Sequence, residues 1–303
     1  MIEWFETLAP IALPALFAGF VAILSTIAVE RLGGTLGGVL SCVPTTIIAA
    51  AIGIYGRGED IDGFRRSMAF IPVGILMNAG YLLLWRIAPA KLGRGARTHL
   101  LAATVAIALG LWLLVASAIV TLNTLLKPTL TQSIAVGLIA FTAGTFLGFA
   151  ANRVAHPAPR GRNRVSVAVL ALRGSAAAMV IAVALVLART GLPVASGIAS
   201  VFPVIFTTIM VATWLSQGPH VPTGAVGPMV LGTLSVSAYA LLAMWLFPLM
   251  PLALAAIVSW FAAIGLVSVP AYLYLKARRH HANVCAGKPE NTVSPSASIS
   301  NHR

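Results

Sequence analysis

Nine apolar stretches of about 18 or more residues divide this chain, each closed by a polar cluster: roughly 9–29, 34–55, 67–88, 100–121, 133–151, 165–188, 193–215, 225–247 and 250–275. At a rise of about 1.5 Å per residue, such runs match the thickness of a bilayer's hydrocarbon core. Only 9% of the residues are charged and 59% are hydrophobic, whereas a soluble domain carries about 25% charged residues. Spanning β-strands would show short alternating segments, not continuous runs rich in Ala, Leu, Ile and Val. The expected fold is therefore an all-α polytopic membrane protein with about nine transmembrane helices. The opening MIEWFETLAP is acidic and lacks a basic region, so a cleavable signal peptide is not expected.

The basic residues orient the bundle. With these spans, one side collects Arg31, Arg86, Lys91, Arg94, Arg97, Arg153, Arg160, Arg162, Arg164, Lys276, Arg278, Arg279, Lys288 and Arg303. The other side has Arg57, Arg65, Arg66, Lys127 and Arg189, and Arg173 falls inside a span. Cytoplasmic loops hold the Lys/Arg excess. The expected arrangement is an inner-membrane protein with its N-terminus outside and its C-terminus in the cytoplasm. The net charge of +13 then reflects loops facing an anionic leaflet, and nucleic acid is not an expected partner.

The chain also repeats itself. Gly38, Ser41 and Pro44 recur as Gly197, Ser200 and Pro203 at a constant offset of 159. Gly74 and Tyr81 recur as Gly232 and Tyr239 at 158, and Pro89 recurs as Pro248 at 159. An odd number of spans separates the two copies, so equivalent helices should run in opposite directions. That is an inverted-topology repeat, a common construction of secondary carriers, in which matching interrupted helices point to the binding site. The expected organisation is a first membrane repeat over 1–131 and a linking fifth span with a basic loop over 132–164. A second repeat follows over 165–275, then a disordered tail over 276–303.

The segment SGIASVFPVIFTTIMVATWLSQG resembles the short hydrophobic repeat of GlpM-type bacterial membrane proteins, in which a Gly-rich turn, a small residue and a proline precede an apolar helix. The resemblance covers residues 188–247, and more loosely 30–89, and it implies no activity. The overall plan is similar to that of the drug/metabolite transporter superfamily, whose two inverted halves supply about ten spans. Here a tenth helix is lacking.

Pro44 and Pro203 each lack a backbone N–H and crowd the carbonyl four residues earlier, so each should break its helix. Groups freed in a bilayer need partners: hydroxyls, water or substrate. Ser41, Thr45 and Thr46 stand beside the first break, and Ser200, Thr207 and Thr208 beside the second. In continuous helices, Gly38, Ser41 and Thr45 would share a face, as would Gly197, Ser200 and Val204. The plain alternative is close helix packing through small residues. Asn78 and Tyr81 on the third span, and Ser235, Ser237 and Tyr239 on the eighth, add polar groups that either orient a substrate or bond helix to helix. Substrate contacts are thus expected from Ser41, Thr45, Asn78, Tyr81, Arg173, Ser200, Thr207 and Tyr239, with helix breaks at Gly38, Pro44, Gly197 and Pro203.

Arg173 is the one basic residue within a span. It either snorkels to the cytoplasmic interface or meets an anion in a cavity. Glu30, at the end of the first span, is the nearest candidate counter-ion in this reading. No Asp, Glu or His lies in the core of a predicted span, which disfavours a carboxylate-based proton relay. Sequence signatures of hydrolases, nucleotide-binding loops and zinc sites are missing, and the two cysteines, Cys42 and Cys285, define neither a disulfide framework nor a metal site. The expectation is a non-enzymatic secondary transporter, read as an exporter, for a small polar metabolite, with no cofactor and no metal. Its partners are membrane lipids and a small-molecule substrate, and a homodimer stays open as an assembly. Two alternatives remain: a non-transporting membrane subunit or assembly factor, and a lipid-phosphate flippase using Arg173 with the basic 152–164 loop.

Overall fold

A computed structural model describes residues 2–32, 43–56, 60–91, 97–153, 166–217 and 220–285. Every regular element among them is helical: α1 (Ile2–Leu32), α2 (Thr46–Tyr55), α3 (Ile61–Lys91), α4 (Arg97–Leu126), α5 (Leu130–Ala151), α6 (Val167–Arg189), α7 (Pro193–Ala199), α8 (Val204–Gln217), α9 (His220–Gly232), α10 (Leu234–Leu246), α11 (Leu252–Ala263), a π-helical segment (Ile264–Ser268) and α12 (Val269–Cys285). Seven helical stretches are long and apolar enough to cross a membrane, two of them interrupted, at residues 200–203 and at Thr233. The shorter apolar helices Ala9–Leu24 and Thr46–Tyr55 fall in the first two expected spans. The chain is an all-α polytopic membrane protein.

Helix is what these sequences must adopt in hydrocarbon, because it satisfies each backbone group within the segment. The termini show conventional caps. Thr129 accepts from Gln132 N at 3.3 Å while the Gln132 side chain accepts from Thr129 N at 2.8 Å, a reciprocal capping box. Ser166 accepts from Val169 N at the start of α6. Pro10, Pro14 and Pro228 are accommodated inside helices. The last helix continues to Cys285, ten residues beyond the expected end of the ninth span at Leu275.

α3 is the central post. Of its apolar window 72% is buried, as in the stretch spanning α9 and α10, against 17% for α4; α4 therefore turns most of its surface to lipid. α5 lies parallel to α3, touching it from Gly137 against the Ala69 carbonyl to the Ala151 carbonyl, which accepts from Arg86 Nη1 at 2.9 Å. The buried seam of α5 consists of Ser133, Gly137, Ala140, Gly144, Gly148 and Ala151, small residues that allow backbones to approach.

Two contacts establish directions. Phe64 near the start of α3 stacks on Phe247 just past the end of α10, with centroids 5.4 Å apart. Arg86 near the end of α3 lies against Gly227 in α9. α3 and α9–α10 are therefore antiparallel. Likewise Gly19 of α1 abuts Ala178 of α6, and Ile23 abuts Gly174, so α1 and α6 are antiparallel. These are the helices that the internal repeat makes equivalent, and they run oppositely, as an inverted repeat requires. Gly19 and Ala178 are moreover each other's counterparts at the 159 offset. A residue that touches its own counterpart lies on the pseudo-twofold axis. A Cβ built on Gly19 would sit 3.2 Å from that of Ala178, mid-helix in both.

The bundle's two ends match the sides separated by the charge count. At one, Arg66 Nη1 donates to Pro128 O at 2.6 Å and Arg65 lies over the Trp245 ring at 5.4 Å. At the other, beside the Arg86 contact, Asn152 donates to Gly227 O at 2.8 Å and Arg278 donates to Arg153 O at 2.9 Å.

Candidate functional site

The second Gly-x-x-Ser-x-x-Pro motif forms a helix break packed on α3. α7 ends at Ala199 and α8 starts at Val204. The residues between them replace helical bonding with tighter turns: Phe202 N donates to Ala199 O at 3.0 Å and Val204 N to Phe202 O at 2.8 Å. Gly197, Ser200 and Val204 consequently do not lie on one continuous helix face, because the break falls between the last two. Each residue of the motif has a physical role. Gly197 rests on the Ser67 carbonyl, where a Cβ would collide. Ser200 Oγ donates to Gly197 O at 2.7 Å. Pro203, with no N–H to place, starts the next helix.

α3 holds the break with side chains. Asn78 Nδ2 donates to Val201 O at 2.7 Å, and Trp112 Nε1 of α4 donates to Asn78 Oδ1 at 2.8 Å. The Trp112 ring meets Phe202 edge to face, with centroids 5.0 Å apart. One turn along α3, the Tyr81 and Thr207 hydroxyls bond at 2.8 Å, and Thr207 Oγ1 donates to Pro203 O at 2.6 Å. Ser67 Oγ donates to Pro193 O at 2.8 Å. Gly74 provides room for Val201 and Ile198. The structure thus brings Asn78, Tyr81, Ser200, Thr207, Gly197 and Pro203 together. It adds Trp112 and Ser67, which sequence reasoning missed; nothing in a span's composition says which neighbouring indole reaches a given amide.

Of the first motif, Gly38 and Ser41 lie outside the described residues. Pro44 is buried in a bend, and Thr45 is the N-cap of α2, its Oγ1 3.4 Å from Val43 O. Tyr239, on α10, is fully buried. Arg173 sits on α6, whose neighbours are α1, α2, α7 and α8; it is on neither α3, which carries Asn78 and Tyr81, nor α10, which carries Tyr239. Its side chain is 6% exposed, the one buried charged residue among those described. Among the described residues the one ion pair is Arg65–Asp62 at 3.9 Å, and no group of residues is suited to hold a metal ion.

Gly197→Ala should destabilise the protein by about 1–3 kcal/mol, as overpacking does, because the new methyl meets a backbone carbonyl that cannot rotate away. Gly110→Ala, where a Cβ meets nothing within 4 Å, should be neutral. Unfolding midpoints of the purified variants in mixed micelles check the contrast.

Comparison with protein-family models, curated proteins and solved structures gave no match, so the functional reading rests on the chain's own geometry.

Proposed function

We propose that the chain is an inner-membrane secondary carrier, working as an exporter for a small polar metabolite, with its site near the bilayer midplane between the two repeats. The observation that carries this reading is the antiparallel packing of repeat-equivalent helices around a broken helix. A break at the junction of inverted halves is where a rocking carrier keeps its substrate. The similarity of plan to the drug/metabolite transporter superfamily favours the same reading, by architecture alone. Arg173 is buried and no carboxylate is buried among the described residues, which favours an anionic or zwitterionic solute over a cation. Flux of candidate metabolites into proteoliposomes, set beside ligand-induced thermal stabilisation of the purified protein, tests it. Absence of both binding and flux across anionic and zwitterionic solutes would sink the proposal.

The second reading, a non-transporting subunit or assembly factor, is favoured by one specific feature. Asn78, Tyr81, Ser200 and Thr207 satisfy one another and the break, as groups that serve packing would.

The proposed orientation places the N-terminus outside and the C-terminus in the cytoplasm, on the Lys/Arg asymmetry of the loops. A reporter fused after Arg303 should be active only as a cytoplasmic fusion. An external signal would reverse the orientation.

A further inference from the structure

The two halves treat their matched polar residues differently. On α3, Asn78 and Tyr81 are held by Val201 O, Trp112 and Thr207. At the 158 offset Tyr81 is matched on α10 by Tyr239, and Ser237 lies two residues before it. Both are fully buried, and neither hydroxyl has a hydrogen-bond partner. Thr207, the partner of Tyr81, is matched at the 159 offset by Ile48 on α2, whose side chain can neither donate nor accept.

A third unpartnered hydroxyl, Ser259, is fully buried on α11. α11 packs on α10. Tyr239 and Ser259 each lie about two helical turns from the Phe247–Pro251 connection, and so at one depth. The π-helical segment Ile264–Ser268 then follows and brings a fourth, Ser268; such segments recur at functional sites. A Ser or Thr within a helix ordinarily returns its proton to a carbonyl three or four residues back, as Thr104, Thr142 and Ser235 do here. Ser237 and Ser259 do not. The contacts Phe64–Phe247 and Arg86–Gly227 bracket α3 and α9–α10, and their midpoint falls near Ile75 and Ser237. Ser237 and Tyr239 therefore lie at mid-depth of the α3–α10 pair, and Ser259 at a similar depth on the neighbouring α11. No Asp, Glu, Lys, Arg or His occurs in α2, α10 or α11, and α3 carries its charged residues towards its ends.

Buried hydroxyls without partners are costly in an apolar medium. A set of them near the middle of α10 and α11, with none like it among the described residues of the first half, is suited to receive a hydrogen-bonding guest. We infer that Ser237, Tyr239 and Ser259 form the neutral, hydrogen-bonding half of the solute site, and that the solute is a hydroxylated organic anion or zwitterion. This rests on the carrier reading above.

The test uses the full chain in detergent, with gluconate and hexanoate as probes matched in chain length and charge. Gluconate should raise the wild-type unfolding temperature more than hexanoate. Tyr239→Phe and Ser259→Ala should unfold, without probe, no lower than the wild type, and should lose the gluconate advantage. Tyr81→Phe, whose hydroxyl is bonded, should unfold lower. Equal shifts by both probes on the wild type would overturn the inference. So would a Tyr239→Phe that unfolds as low as Tyr81→Phe with its gluconate response intact, the behaviour of a hydroxyl served by permanent water. Proteoliposome flux separates the two readings. Gluconate that binds through these hydroxyls without crossing leaves the site standing and removes the carrier. An anion that crosses equally well in wild type and Tyr239→Phe does the reverse.

Discussion

Asn78→Leu should lower stability by about 2 kcal/mol, because it strands two buried groups at once. Val201 O would lose the donor that compensates the helix break, and Trp112 Nε1 would lose its acceptor. A buried group left without its partner costs about 1–3 kcal/mol. In bilayers the measured worth of an interhelical bond averages only about 0.6 kcal/mol, since the unfolded helix finds other partners. Two bonds at one amide, with Asn78 itself 1% exposed, place the sum between these limits. Leucine keeps the branched shape and leaves no cavity, while its bulkier methyl groups add some overpacking to the cost. Trp112→Phe removes a single bond and should cost less. The double variant should cost less than the two single changes together, because once Asn78 is gone the indole has nothing left to lose. Unfolding in mixed micelles gives all the midpoints of the cycle. An Asn78→Leu protein as stable as the wild type would show that the break needs no support from α3.

Much of this architecture is legible in the linear chain, because a bilayer imposes strict conditions on it. Span positions follow from unbroken apolar length. The opposite directions of α1 and α6, and of α3 and α9–α10, follow from the parity of the 159-residue repeat; that they pack together does not. The same code reads poorly for interruptions. Pro203 coincides with a break, whereas Pro10, Pro14 and Pro228 stay inside helices. Span eight divides instead at Thr233, whose hydroxyl donates to Val230 O at 2.9 Å. A proline's effect depends on whether neighbours can take up the freed groups, which is a tertiary matter. At Pro203 those neighbours are Asn78 and Thr207, the first more than a hundred residues away in sequence. The pairing of Asn78 with Trp112 and the lack of a partner for Tyr239 were illegible for the same reason: repeat offsets identify counterparts, not contacts.

Arg173→Ala should abolish carriage of an anionic solute while leaving an inserted, folded protein. Arg173 is the one buried charge among the described residues. In the proposed carrier it supplies what offsets the cost of stripping water from a carboxylate or phosphate. The position is six residues into α6, which begins at Val167, or about 9 Å at 1.5 Å per residue. That depth is within the reach of a snorkelling side chain, but burial at 6% exposure places the side chain among protein groups instead of lipid. Arg173→Lys should restore little, because an ammonium cannot reproduce the planar, bidentate fork that engages an anion. Arg173→Met separates stem from charge: it retains the apolar contact of the side chain and should insert and fold, yet carry no anion. Uptake of a radiolabelled anion into proteoliposomes, with unfolding midpoints measured on the same preparations, distinguishes loss of function from loss of fold. Unchanged uptake by Arg173→Ala would reduce the residue to a structural member of the bundle and leave the hydroxyls of α10 and α11 as the whole of the site.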